Sequence, residues 1–153
     1  MTLSPVLGRE DVLRLQNLVR QVPIADHVVR YALRIARMTR VHGPSGQPEI
    51  VEKYVSWGAG PRASQYLVLG AKAKAILSGA SHVMPEHIKA VALPVMRHRI
   101  VTNFNAEADG VTTDDIVNEL LQQVKVRQRR RHEPPDGRGD ALSMRRASGS
   151  EVI

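Results

Sequence analysis

Five stretches of this chain repeat apolar residues at three- and four-residue steps, the period of one buried face of an α-helix. The first predicts a helix over about Arg9–Gln21, with Val12, Leu15, Leu18, Val19 and Val22 as its inward stripe and Pro23 as its interruption. The second runs from about Asp26 to Arg40, with Asp26 placed as the N-cap and Val28, Val29, Ala32, Leu33, Ile35 and Ala36 inward. The third starts at Pro61, a residue suited to the first helical position, and ends before Gly79. Its inward set is Ala63, Tyr66, Leu67, Gly70, Ala73, Ile76 and Leu77, and its many small residues allow a neighbouring helix to approach closely. The fourth starts near Pro85 with Ile88, Val91, Ala92, Val95 and Met96 inward, and Pro94 should kink or end it. In the fifth, Thr112 and Asp115 have capping-box spacing, and Ile116, Val117, Leu120, Leu121 and Val124 form the core face.

This pattern implies an all-α fold, a bundle of about five helices. Composition agrees. Aromatics are only 3 % of the 153 residues, so the core must be aliphatic, which suits packed helices better than a barrel or sandwich. Residues 41–60 break the period: VHGPSGQPEI reads as a loop, and a short extended segment fits near 50–57. From about residue 125 the chain becomes rich in Arg, Pro, Gly and Ser and reads as a basic, disordered tail, residues 125–153.

With no cysteine, disulfides and thiolate metal sites are excluded. No apolar run approaches the roughly 20 residues that span a bilayer, and the N-terminus lacks the layout of a signal peptide. The reading is a soluble, cytoplasmic protein with no membrane partner. The net charge of +7 invites a nucleic-acid reading, but +4 of it lies from Lys125 onward and only +3 in residues 1–124. A nearly balanced body disfavours a dedicated nucleic-acid face. The alternative nonetheless stands as a basic helical module presenting Lys72, Lys74, Lys89, Arg97 and Arg99.

The segment richest in chemistry is YVSWGAGPRASQ, residues 54–65. Gly58 and Gly60 allow a sharp bend with room for a ligand. Pro61 begins a helix whose free N–H groups face back toward the bend, a geometry that attracts anions, phosphate above all. Arg62 in the first turn is mildly disfavoured by the helix dipole unless an anion docks beside it. The plain alternative is that Gly-Pro-Arg simply starts a helix. No GxxxxGK[ST] phosphate loop is present, so these residues by themselves do not predict ATP hydrolysis. The histidines make no metal site: His82 and His87 are five apart rather than four, His27 and His42 lack partners at ligand spacing, and His98 reads as a helix-end packing or hydrogen-bonding residue rather than a base.

YVSWGAGPRASQ, then LVLGAKAKAILSG, HVMPEHIKAVALPVMRHRIVTNF and GVTTDDIVNELL, in that order and spacing, resemble the C-terminal lid of MoxR-type AAA+ ATPases over about residues 8–124. The resemblance implies a helical lid over residues 9–124, preceded by a linker, residues 1–8, from an ATPase core upstream. It implies that Arg62 is the sensor-2 arginine that reaches the γ-phosphate of ATP, with Gly58, Gly60 and Pro61 shaping the approach. ATP and Mg²⁺ belong to the intact parent, and none is expected on the isolated chain, which is therefore not itself an enzyme. The implied partners are the ATPase core, a homo-oligomeric ring (a hexamer), and proteins with von Willebrand factor A domains that are matured or metal-loaded. His98 and Arg99 match the family's HRI stretch, with a structural or interfacial role. Two positions depart from the family: Gly60 stands where Ser is frequent, and Met84 where Thr is frequent.

Overall fold

The computed structural model describes residues 6–41, 43 and 46–126. The predicted tail therefore lies outside the described residues from 127 onward, and of the predicted linker only residues 6–8 are described. In chain order the elements are α1 (Arg9–Gln21), α2 (Asp26–Met38), α3 (Glu49–Tyr54), β1 (Val55–Trp57), α4 (Pro61–Leu77), α5 (Pro85–Met96), β2 (Val101–Thr102), α6 (Phe104–Ala108) and α7 (Thr113–Gln123). The fold is all-α apart from one small antiparallel pair, in which Val55 faces Thr102 and Trp57 faces Val101. The extended segment expected near 50–57 is extended only at its end, because Pro48 caps a short helix over the residues before it. With α3 and α6 the five expected helices become seven among the described residues. Both additions are shorter than two turns, too short to display a helical period.

α4 is the spine, packed along α5 and also on α2 and α1. Its buried residues are Ala63, Leu67, Ala71 and Ala75, spaced by four. This narrow seam replaces the wider expected face, and Tyr66 and Leu77 turn out to be exposed. The seam is narrow because its small residues let the helices close in: a Cβ on Gly70 would already touch the Val91 side chain at 3.5 Å. Leu67, Ile35, Ile88, Met96, Ile116 and Leu120 are fully buried and form the aliphatic core.

The termini of these helices follow local chemistry. Asp26 is the first helical residue of α2 rather than its cap, which is Ala25, and its carboxylate pairs with Arg30 at 2.7 Å. α4 ends with Gly79 at φ 70, and Ala80 N–H bonds back to the Ala75 carbonyl at 2.9 Å, the left-handed stop expected of glycine. Pro94 does not stop α5 at once: the helix continues to Met96. At α7 the capping box is formed, with Thr112 N–H donating to Asp115 Oδ2 at 2.9 Å and Asp115 N–H to Thr112 Oγ1 at 3.3 Å. Thr112→Ala should lower stability by about 1 kcal/mol in urea unfolding of the chain. No change in the midpoint would show that α7 is held by packing alone.

Two polar ties close the end of the bundle that carries β1 and β2. Arg97 grips Asp114 through two bonds, 3.1 and 2.7 Å, joining α5 to the start of α7. Asp109 accepts from the Tyr54 hydroxyl at 2.9 Å and from the Lys53 ammonium at 3.2 Å, joining α3 to α6. The Tyr54 hydrogen bond first, and Lys53 second, hold the Asp109 carboxyl below its ordinary 3.8. A carboxyl depressed in the native state stabilises it above the unfolded pKa, and that contribution disappears as pH falls through the native value. The difference in Tm between the chain and Asp109→Asn should therefore be constant at neutral pH and shrink once the pH falls below about 4. A difference that persisted unchanged into strong acid would show that the carboxylate charge is not what ties α3 to α6.

Candidate functional site

The turn at residues 58–62 is built against the end of α2. Thr39, the C-cap of α2, is fully buried, and its hydroxyl donates to the Ala36 carbonyl at 2.7 Å. The same oxygen accepts the Ala59 N–H at 2.8 Å, which fixes the turn to the helix. Ala59 is itself fully buried. At Gly58 the two backbones nearly touch: a Cβ there would lie 2.2 Å from the Thr39 carbonyl oxygen and 2.6 Å from Arg40 Cα. Gly58 is thus required by close approach. Neither it nor Gly60 has a positive φ, so the expectation that glycine supplies a special bend is corrected to a steric reason at Gly58.

Gly60 behaves differently. It caps α4 in an ordinary extended conformation, φ −75 and ψ 179, and a Cβ there would meet nothing within 4 Å. Pro61 occupies the first helical position as expected, and Arg62 follows. Gly60, Pro61 and Arg62 are all exposed. Arg62 makes no hydrogen bond or ion pair with any other described residue. A depression of about 510 Å³ borders the turn, walled by Arg40, Trp57, Gly58, Gly60 and Pro61 among others. Arg62 follows Pro61 in the chain but does not itself line the depression. Trp57, the chain's single tryptophan, is 74 % exposed on its rim.

The predicted site residues Gly58, Gly60, Pro61 and Arg62 are therefore contiguous in space as in sequence. What a sequence reading misses is Thr39, nineteen residues upstream of Gly58, whose threonine hydroxyl carries no signal until the fold brings it beneath the turn. Arg40 is missed for the same reason, whereas Trp57 directly precedes Gly58 in the chain. Among the histidines, His87 is nearly buried and its Nδ1 accepts the Met84 N–H at 3.0 Å, doing the capping work that a Thr at position 84 would share. His98 is exposed beside Arg99.

The described residues contain no helix long and apolar enough to cross a membrane. Of the five cations of the nucleic-acid alternative, three are engaged within the molecule: Lys72 with the Arg20 carbonyl, Arg97 with Asp114, and Arg99 over the Tyr66 ring.

Residues 47–120 match the family model of the AAA lid domain. The chain is 32 % identical over 123 residues to chaperone MoxR1 of Mycobacterium tuberculosis, a match that covers 80 % of the chain and 32 % of the relative. It is 34 % identical over 125 residues to the protein YeaC of Bacillus subtilis, covering 82 % of the chain and 36 % of the relative. A crystal structure from Cytophaga hutchinsonii, described as that of an ATPase, superposes with a TM-score of 0.75 at 32 % identity, over 82 % of the chain and 38 % of that protein. The chain thus spans about a third of the length of each. The order of helices, the Gly-Ala-Gly-Pro-Arg turn that starts the central one, and these matches agree: the chain belongs to the lid domains of MoxR-family AAA+ ATPases.

Proposed function

We propose that the chain acts as the nucleotide-sensing lid of an ATP-hydrolysing AAA+ machine, with Arg62 as its sensor-2 arginine. The observation that carries this is the exposed guanidinium of Arg62, which pairs with no other described residue, in the first turn of a helix that follows a turn clamped by Thr39. The positive end of that helix and the guanidinium in its first turn together suit a phosphate. Gly58 holds the turn against α2, while Gly60 and Pro61 leave its outer side open. Bound ATP with Mg²⁺ would supply the phosphoryl group and its charge. Arg62 would bind the terminal phosphate and report its loss by releasing the lid.

The same reading divides the chain into a linker (1–8), the lid (9–124) and a basic tail (125–153). It places the lid beside an ATPase core in a cytoplasmic homo-oligomeric ring, a hexamer. It assigns the parent a chaperone-like task, the maturation or metal loading of partners such as von Willebrand factor A domain proteins. The nucleic-acid module is the weaker reading, because residues 1–124 carry a net charge of only +3, too nearly balanced for a dedicated nucleic-acid face. The first test is the coding sequence upstream of residue 1. An in-frame stretch with GxxxxGK[ST] supports the reading, and a separate gene with no ATPase partner to receive the lid counts against it. The decisive test is ATP turnover of the intact ATPase with Arg62→Ala.

A further inference from the structure

α1 is amphipathic, yet it buries no residue: Leu15 is 45 % and Leu18 48 % exposed. It packs chiefly on α4, where Lys72 donates to the Arg20 carbonyl at 2.8 Å. Two grooves open along α4 on either side of Leu69, and Arg20 borders both. The first, about 390 Å³, is floored by Val29, Leu33, Val68 and Leu69. The second, about 560 Å³, lies between α1, α4 and α5 over Val19, Tyr66, Ala73 and Val95. The Lys and Arg side chains on their walls are Arg20, Lys72 and Arg99, and among the described residues neither wall contains an aspartate or glutamate. Leu33, Leu69 and Tyr66 are 43 %, 39 % and 47 % exposed, so apolar surface is left open between fixed positive charges.

From this we infer that the two grooves form a docking surface for an amphipathic helix of a partner protein, one that carries leucine-type side chains at helical spacing flanked by carboxylates. An apolar floor takes the leucines of such a helix, read at three- and four-residue steps. The one-signed rim selects the carboxylates and rejects a basic helix. A second copy of this chain fits poorly, because its own exposed α1 carries Arg9, Arg14 and Arg20 against only Glu10 and Asp11, both confined to its first turn. Nucleic acid fits poorly too: Tyr66 is the one Phe, Tyr or Trp side chain lining the grooves, and the Arg99 guanidinium already lies over one face of its ring at 4.9 Å. A bilayer surface needs a convex apolar face rather than paired grooves. The surface uses none of the residues assigned to nucleotide sensing and stands or falls apart from them.

The test is fluorescence anisotropy of the 153-residue chain with two labelled 16-residue helical peptides, one with leucines at i, i+3, i+4 and i+7 on a glutamate background, the other with lysine in place of glutamate. The glutamate peptide should bind at least about tenfold tighter than its twin, and added salt should narrow the gap. Leu69→Glu and Arg99→Glu should each weaken it by about tenfold or more with the helical circular dichroism unchanged. Replacing Arg129, Arg130 and Arg131 with alanine should leave it unaltered. The proposal is overturned if the two peptides bind alike or not at all up to millimolar concentration, or if the groove variants bind as the parent does. It is overturned equally if binding is lost with the three tail arginines instead. Displacement of the glutamate peptide by single-stranded DNA or by phosphatidylglycerol vesicles at comparable concentration also overturns it, since that describes a general anion surface.

Discussion

Arg62→Ala, in an ATPase that carries this lid, should lower ATP turnover at saturating nucleotide by roughly 10–1,000-fold, the range expected for a charge-assisted contact to phosphate in a closed site. The lid's own stability should move by no more than about 0.5 kcal/mol, because the side chain is exposed and pairs with no other described residue. Those two readouts together separate sensing from folding. Arg62→Lys should recover part of the rate, since it restores the charge but not the planar, two-pronged donor. Unchanged turnover at saturating ATP in Arg62→Ala would remove the sensor assignment and leave Gly-Pro-Arg as an ordinary helix start. A fall in turnover matched by loss of helical signal would point to folding instead.

Gly58→Ala should destabilise the folded chain by about 2–4 kcal/mol in urea unfolding. The added methyl would sit 2.2 Å from the Thr39 carbonyl oxygen, and what it strikes is backbone, which cannot rotate away as a side chain can. Relief requires parting the turn from α2, and that also pulls Ala59 N–H from the Thr39 hydroxyl. Gly60→Ala is the internal control. Nothing lies within 4 Å of its would-be Cβ and its φ is ordinary, so the cost should be at most about 1 kcal/mol, that of a poorer N-cap. Equal costs at the two positions would mean that the turn does not lean on α2 as described.

These two glycines show how far a sequence can be read. Both are visible as flanking residues of a helix start, and both look alike. Their difference arises from α2, whose end lies under one and not under the other, and spacing along the chain contains no information about that. Thr39 is a harder case. Threonine near the end of a helix is unremarkable in sequence, and its hydroxyl becomes a positioning group only when position 59 is folded onto it.

The helices divide in the same way. α7 was legible from Thr112 to its core face because capping and burial both act within a few residues, and every expected core residue is buried or half-buried there. α1 was legible as a helix but not as an exposed one. Its stripe of Val12, Leu15 and Leu18 has the period of a buried face, and the described residues cover only its C-terminal turn. On α4 the apolar stripe of the sequence is wider than the buried seam: leucine and tyrosine side chains count as apolar wherever they fall, yet Ala71 and Ala75 are buried while Tyr66 and Leu77 are exposed.

Local sequence by itself determined the helical class, the starts at Pro61 and Pro85, the stop at Gly79 and the capping box at Thr112. Each depends on backbone conformation and hydrogen bonds between residues at most five apart. Tertiary structure alone decided which apolar faces are covered, why Gly58 must be glycine, and that Thr39 and Arg40 meet the Gly-Pro-Arg turn. Those facts depend on how closely two helices approach, and that distance is set by the packing of the whole bundle.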